Sequence, residues 1–380
     1  MNGGAARETV RPRGLLLQWH LTDACNLHCL HCYAGGERAR DPPREQLEAW
    51  FSDFLDFLRR RGIPGHINFT GGEPFLREDF PRLLEMVHDH RGACTYAVLS
   101  NGSLVDETAA RCLKRTGCRF VQISVDGGPE THNALRGPGS FSQCRAALRT
   151  LRRQGVATMV SFTVSRANLC DFPEVADMAR AEGAGSVWSD RLLPVGRGRE
   201  MADRLLSAVE VDAFFETMFR VGRQLQRRPF SRTRIRMHRA LQFRTLQAHG
   251  IPAAPYRCNA GRGLLAVLPD GTVLPCRRMP IPVGRLGRDS LEEIYEEAPP
   301  LRELRDDHRI PLGCEACEWR ESCHGGLRCL SHACTGDIYR ADPQCSLAAR
   351  ESAKKKEDSC HEECPGNRQS RAASDSARRA

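Results

Sequence analysis

Hydrophobic positions recur along the first half of the chain in a fixed alternation, a short apolar run followed by an amphipathic stretch. The runs are LLLQWH (15–20), HINFTGG (66–72), TYAVLSNG (95–102), RFVQISVDG (119–127), ATMVSFTV (157–164) and GSVWSDRLLPVG (185–196). Short runs rich in β-branched and aromatic residues predict strands. Between them the 3.6-residue period predicts helices near 45–61, 79–91, 106–116, 141–154 and 173–182, with Asp79 and Asp106 as N-caps of two of them. Strands alternating with helices imply an α/β fold around a parallel sheet. Six units are fewer than the eight of a closed barrel, so the expectation is a partial (β/α)6 TIM-like barrel over 15–200 with one open side. Residues 1–14 form an N-terminal extension.

The pattern changes after residue 200. A helical, arginine-rich connector is expected over 201–249, followed by a cysteine-dense unit over 250–347. Within that unit LLAVLPDGTVLPC reads as a β-hairpin, with Asp270 and Gly271 supplying the positive φ angles of a tight turn. Residues 348–380 are polar and poor in apolar side chains, the composition of a disordered tail.

At 380 residues and 41% apolar the chain can bury a large core, which excludes a small disulfide scaffold. The N-terminus lacks an apolar signal core, and no run of about 18 apolar residues is present to span a bilayer. The reading is therefore a cytoplasmic protein with no membrane partner. In a reducing compartment, eighteen cysteines at clustered spacings point to metal ligation more than to disulfides. The formal charge of +9 reads first as solvated, arginine-rich helix faces, and otherwise as a surface that attracts an acidic peptide or nucleic acid. The basic runs lack interleaved aromatic residues, so nucleic acid is not the expected one.

Chemistry concentrates where strands end, the face on which such barrels carry their sites. Cys25, Cys29 and Cys32 follow strand one with the spacing Cys-x3-Cys-x2-Cys. Three soft thiolates suit three irons of a four-iron cluster and leave the fourth open. A zinc site would need a fourth ligand, such as an inward-turned His28 or His31. Thr70-Gly71-Gly72-Glu73-Pro74 ends strand two, Asn101 strand three, and Ser124 and Asp126 strand four. Asp126-Gly127 also fits a plain strand-ending turn, and Asn101 a turn cap. The pair Asp190-Arg191 is placed at the same mouth.

Taken together, CNLHCLHCY and TGGEP resemble the radical SAM superfamily. The resemblance implies that Cys25, Cys29 and Cys32 hold a [4Fe-4S] cluster whose open iron chelates S-adenosyl-L-methionine (SAM), with reductive cleavage to a 5′-deoxyadenosyl radical. It assigns SAM contacts to Tyr33, Gly71, Gly72, Glu73, Ser124, Asp126 and the carboxylate-binding Arg136. The later cysteines resemble the SPASM extension of that superfamily, which carries auxiliary [4Fe-4S] clusters. Carried across, Cys314, Cys317, Cys323 and Cys345 hold the second auxiliary cluster, and Cys258 and Cys276 the first. The pattern expects a further cysteine where this chain has Leu327; Cys329 is the substitute and Cys334 a poorer one. One or two auxiliary clusters are thus implied. A zinc ribbon remains the alternative for Cys314, Cys317 and Cys323. Cys94, Cys112, Cys118, Cys144 and Cys170 read as buried small apolar residues, and Cys360 and Cys364 as incidental thiols of the tail.

Enzymes with this extension mostly modify peptides or proteins, so the implied function is a ribosomal-peptide maturase, crosslink-forming or oxidative. Small-molecule (tetrapyrrole or quinone cofactor) biosynthesis and sulfatase maturation are the alternatives; a non-catalytic metal scaffold would leave the GGEP motif and Arg136 unexplained. The implied partners are a peptide or protein substrate and a flavodoxin- or ferredoxin-like electron donor; with about fourteen residues before strand one, the expectation is either a separate leader-recognition protein or a substrate read through the basic barrel face.

Overall fold

Strands and helices alternate through the first half of the computed structural model, which describes residues 13–34 and 40–349. The order is β1 (Leu15–His20), α1 (Arg44–Arg61), β2 (Gly65–Thr70), α2 (Phe80–Asp89), β3 (Cys94–Ser100), α3 (Glu107–Arg115), β4 (Val121–Ser124), α4 (Pro129–Arg136), α5 (Ser140–Arg153), β5 (Thr158–Val164), α6 (Phe172–Ala181) and β6 (Ser186–Arg191). The six strands pair in parallel in chain order, in registers such as Leu17↔Ile67 and Ile67↔Tyr96. The predicted partial barrel is present. Helix α4 was not read from the sequence, because PETHNALR is too short to show a period.

Strand alternation divides each strand between two surroundings. Leu17, Trp19, Ile67, Phe69, Tyr96, Ile123, Val160 and Phe162 are buried in the apolar core beneath the helices. Their sequence neighbours Gln18, Asn68, Gln122, Ser124 and Ser161, together with Trp188 of β6, line cavities inside the barrel. The lumen is therefore polar and open. Helix α1 shows what seals the outside: Leu47, Trp50, Phe51, Phe54, Phe57 and Leu58 are all buried, and Gly62 ends it at φ 63° in the left-handed region. Burying each such side chain contributes roughly 1.5–3 kcal/mol.

The capping predictions divide. Asp106 accepts from the Ala109 N–H at 2.7 Å, a true N-cap of α3. Asp79 precedes α2 but makes no capping bond, because Arg77 holds its carboxylate at 2.9 and 2.7 Å.

The connector is not wholly helical. After α7 (Ala208–Arg227) comes a seventh strand, β7 (Arg234–Arg236), parallel to β6, and then α8 (Gln242–Ala248). Three residues reading Arg-Ile-Arg carry too little apolar pattern to announce a strand. The cysteine-dense unit also joins the sheet. β8 (Leu264–Val267) lies parallel to β1, and β9 (Thr272–Leu274) and β10 (Gly284–Arg285) follow it antiparallel. The result is one ten-stranded sheet ordered β10-β9-β8-β1-β2-β3-β4-β5-β6-β7.

The predicted hairpin is β8–β9, but its turn is wider than a two-residue one: the N–H of Leu268 donates to the carbonyl of Thr272, and that of Gly271 to Leu268. Only Gly271 takes a positive φ, 86°. Asp270 instead accepts from the N–H and hydroxyl of Thr272. Four further helices complete the unit: α9 (Leu291–Glu297), α10 (Pro299–Arg305), α11 (Arg320–Cys323) and α12 (Arg328–Thr335).

Among the described residues no helix is long and apolar enough to cross a membrane. The extension before residue 13, and the tail beyond 349 with Cys360 and Cys364, lie outside the described residues.

Candidate active site

The loop after β1 is bound to the loop after β2. The N–H of Gly72 donates to the Thr22 carbonyl at 2.7 Å, and that of Glu73 to Ala24 at 2.8 Å. A Cβ on Gly71 would stand 2.4 Å from the Thr22 oxygen, and one on Gly72 2.0 Å from that of Ala24. Glycine is required there for the two loops to approach. Cys25, Cys29 and Cys32 thereby come to one wall of a cavity of about 430 Å³, with Tyr33, Gly71, Gly72, Asn101, Ser124, Arg136, Asp190 and Arg191 also on its walls. All but Arg136, the last residue of α4, sit at strand C-terminal ends or the loops beyond, as the barrel rule requires.

The thiols fit a cluster. Burial pushes the Cys25 and Cys29 thiols up, and the neighbouring cysteines add to it. No three His, Cys, Asp or Glu side chains among the described residues converge closely enough for one metal ion. Three soft thiols on one wall of an open cavity suit three irons of a multi-iron cluster. Donors stand ready for the sulfurs: Asn101 Nδ2 is 3.9 Å from Cys25 Sγ, and Arg136 Nη1 is 3.8 Å from Cys29 Sγ. His31 does not turn inward as a ligand; its Nε2 lies 2.9 Å from Asp126 Oδ2.

Both carboxylates expected to contact SAM are buried behind the cavity wall. Glu73 is fully buried and absent from the cavity wall. Its oxygens accept from the Ser100 hydroxyl at 2.9 Å and the Asn101 N–H at 2.8 Å, fastening the β2 loop to the β3 loop. Burial pushes its carboxyl up to about 7.

Asp126 is equally buried. Arg136 Nε donates to it at 2.5 Å and the Thr163 N–H at 2.7 Å. Arg136 and His31 hold its carboxyl well below the usual range despite burial. Asp126 thus aims Arg136, whose guanidinium reaches the cavity. His132, missed in the sequence, accepts from the Asp126 N–H through Nδ1 at 3.1 Å. Burial lowers its pKa to about 4, so it stays neutral. Its only signal was its place six residues after Asp126.

The Asp190-Arg191 pair reaches the mouth as expected and also clamps the C-terminal unit. Arg191 binds Asp342 through both carboxylate oxygens, at 2.9 and 2.6 Å, with both side chains almost fully buried. Asp190 holds Arg239 at 2.8 Å and also pairs with Arg278. Asp342 further accepts from the N–H groups of Leu327 and Gln344. Neither Asp342 nor Arg278 was singled out in the sequence, where nothing in ADPQC or PCRRM marks a long-range pair.

The later cysteines gather into two sets. Cys314, Cys317, Cys323 and Cys345 border one small cavity. Burial and the other three push Cys314 up to about 12. Cys258, Cys276 and Cys329 border a second large cavity together with Leu327, and burial pushes Cys329 up to about 12, with Cys276 and Cys258 adding. Cys334 is exposed and senses no other cysteine. Of the cysteines read as apolar filler, Cys94 and Cys144 are buried and Cys112 and Cys118 partly so; Cys170 is exposed, in the short turn before α6.

Soft thiol triads, an open barrel mouth and a guanidinium on its wall fit an iron–sulfur enzyme with a small carboxylate-bearing cosubstrate. The radical SAM superfamily profile matches residues 19–179, and an iron–sulfur cluster-binding (SPASM) domain profile matches 258–318. The chain belongs to the radical SAM superfamily and carries the SPASM domain. It is 28% identical to the AdoMet-dependent heme synthase of Methanosarcina barkeri, over 89% of this chain and 97% of that one. It is 29% identical to the mycofactocin maturase of Mycobacterium ulcerans, over 87% of each. Its fold matches AdoMet-bound anSMEcpe with a TM-score of 0.72 at 19% identity, covering 93% of this chain and 96% of that one. The cofactors are the SAM-binding [4Fe-4S] cluster, SAM and auxiliary iron–sulfur clusters.

Proposed function

We propose that this enzyme modifies a peptide or protein. The observation that carries the reading is the continuity of the barrel lumen. Leu99, Gln122, Trp188, Arg277 and Arg278 border both the cavity of Cys25, Cys29 and Cys32 and the cavity of Cys258, Cys276 and Cys329. An extended chain lying in such a lumen reaches both. Among the relatives, the mycofactocin maturase and the PqqA peptide cyclase of Gluconobacter oxydans bear names of peptide chemistry. A similarly folded protein, SuiB, is known bound to its precursor peptide SuiA.

In this reading Cys25, Cys29 and Cys32 hold the first cluster, Cys314, Cys317, Cys323 and Cys345 the second auxiliary one, and Cys258, Cys276 and Cys329 the first auxiliary one. When bound, cluster and SAM together supply a 5′-deoxyadenosyl radical that takes a hydrogen atom from the substrate. The chain's own part is positioning. Arg136, aimed by Asp126, receives the SAM carboxylate in a charge-assisted bond, and Ser124 offers a hydroxyl beside it. The backbone at Gly71 and Gly72 offers carbonyls to the amino group, Tyr33 flanks the cluster, and Glu73 and Asp126 act behind this wall. A flavodoxin- or ferredoxin-like protein supplies electrons in the cytoplasm, and a separate protein presents the leader of the precursor.

A second reading is modification of a tetrapyrrole, favoured by the 28% identity across 97% of an AdoMet-dependent heme synthase. The reconstituted enzyme, SAM and dithionite are incubated with candidate precursor peptides translated from short reading frames flanking its gene, and separately with iron-coproporphyrin III. A mass change in the peptide, with stoichiometric 5′-deoxyadenosine, is expected. A change in the porphyrin alone overturns the peptide reading.

A further inference from the structure

The two chambers of the lumen lie one above the other along the barrel axis. The upper is walled by residues at or near strand ends, such as Thr70, Ser100 and Asp190. The lower, about 860 Å³ against 430 Å³, is walled by the strand-start residues Leu16, His66, Thr95 and Met159 and by segments after β7 and before β8. Trp188 Nε1 donates to Gln122 Oε1 at 3.1 Å at the waist between them. The chamber is within the size range of ligand sites, and a cluster on Cys258, Cys276 and Cys329 would take part of it.

Its charge is one-sided. Six arginines line it, Arg119, Arg236, Arg239, Arg257, Arg277 and Arg278, and no described aspartate or glutamate does. Three of the six are already paired: Arg239 and Arg278 with Asp190, and Arg257 with Asp307 at 2.6 Å. Arg119, Arg236 and Arg277 have no carboxylate partner among the described residues. Arg277 borders both chambers, its guanidinium lies 5.7 Å over the Tyr33 ring, and its Nε is buried without a hydrogen-bond partner. A cluster on Cys258, Cys276 and Cys329 would offset part of this charge, beside Arg278, and the like charges around the remaining polar space favour a further anion. Guanidiniums recognise planar carboxylates by paired hydrogen bonds.

We propose that the lower chamber is a carboxylate-binding site that anchors an acidic part of the substrate on Arg119, Arg236 and Arg277, while the reacting part passes the Trp188–Gln122 waist into the upper chamber. The anchored carboxylates are those of aspartate or glutamate side chains in the peptide substrate, so the inference rests on the peptide reading; the propionates of a tetrapyrrole would present the same chemistry. The chamber also brings the anchored segment beside Cys258, Cys276 and Cys329.

The test measures binding to the anaerobically reconstituted protein of a blocked hexapeptide alternating glutamate and glycine, of its glutamine counterpart, and of iron-coproporphyrin III. The glutamate peptide is expected to bind with an affinity that falls with added salt, and the glutamine peptide at least tenfold more weakly. Arg119 and Arg236 are exposed and have no carboxylate partner among the described residues, so R119Q/R236Q is expected to keep the wild-type iron content and thermal midpoint while losing about a hundredfold in affinity, roughly tenfold per charge-assisted contact. R119K/R236K keeps the charge and recovers most of the loss. Arginine-dependent binding of the porphyrin without binding of the glutamate peptide upholds the chamber and removes the peptide reading. Affinities of both probes unchanged in R119Q/R236Q overturn the chamber itself.

Discussion

Cys25, Cys29 and Cys32 stand on one loop after the first strand, whereas Cys258, Cys276 and Cys329 come from the approach to β8, the end of β9 and the start of α12. The first set needs only its own loop and the neighbouring glycines of β2. The second exists only when the C-terminal unit is docked on the barrel by Arg191–Asp342 and by Asp190 with Arg239 and Arg278. A local site is fixed by spacing along the chain and a gathered one by tertiary charge pairs, so the two fail in different ways.

The largest separation comes from the cysteines themselves. Cys32→Ala is expected to remove SAM cleavage, a loss above a hundredfold in 5′-deoxyadenosine release. Cys345→Ala should leave nucleoside release within a few-fold of wild type while product formation stops, giving uncoupled cleavage in the same chromatographic assay. Equal loss of both activities in Cys345→Ala would erase the contrast, and would mean that the C-terminal unit serves folding alone.

The docking is tested next. Arg191→Gln leaves Asp342 buried without its cation, which costs about 3–5 kcal/mol. Chemical denaturation should show that loss, with iron lost first from the auxiliary sites. An unchanged midpoint would show that the clamp does not hold the unit.

Glu73 probes the barrel loop by pH. Its folded pKa, about 7, is raised above its ordinary 4.5 by burial. Between those values the folded state binds more protons than the unfolded one, so the stability from this group is full below pH 4.5 and declines as pH rises towards 7. The total is on the order of 3 kcal/mol. Glu73→Gln should flatten that decline in denaturation curves of the reconstituted protein, and an unaltered slope would assign the dependence elsewhere. The smallest effect is that of Cys329→Ala, expected to lower iron content by about a third while the first cluster's absorbance and nucleoside release persist. An unchanged count would remove Cys329 as a ligand.

The same division explains what was legible in the sequence. Strand and helix periods find β1 to β6, with the run for β6 carried five residues past its end at Arg191, because each βα unit is a local pattern sealed by its own helix. The cysteine loop and TGGEP were legible because their constraint is local: two loops in contact, with no room for a Cβ at Gly71 or Gly72. β7, with a single apolar residue, was not. Neither was the extension of the sheet through β8 beside β1, since a pairing across some two hundred residues leaves no period. Arg278, Asp342 and His132 were missed for the same reason: a buried ion pair or a histidine bonded to a distant backbone looks, in one dimension, like any polar residue. Glu73 and Asp126 were found as members of motifs, but their burial, which turns them from cavity groups into supports for Asn101 and Arg136, appears only in three dimensions.

The central claim is that the barrel loop generates radicals from SAM. Its most direct test is anaerobic reconstitution with iron and sulfide, a metal count, and measurement of 5′-deoxyadenosine after SAM and dithionite are added. The account predicts about twelve irons per chain, from three four-iron clusters, and reductant-dependent nucleoside release. Stoichiometric zinc with no nucleoside would contradict it.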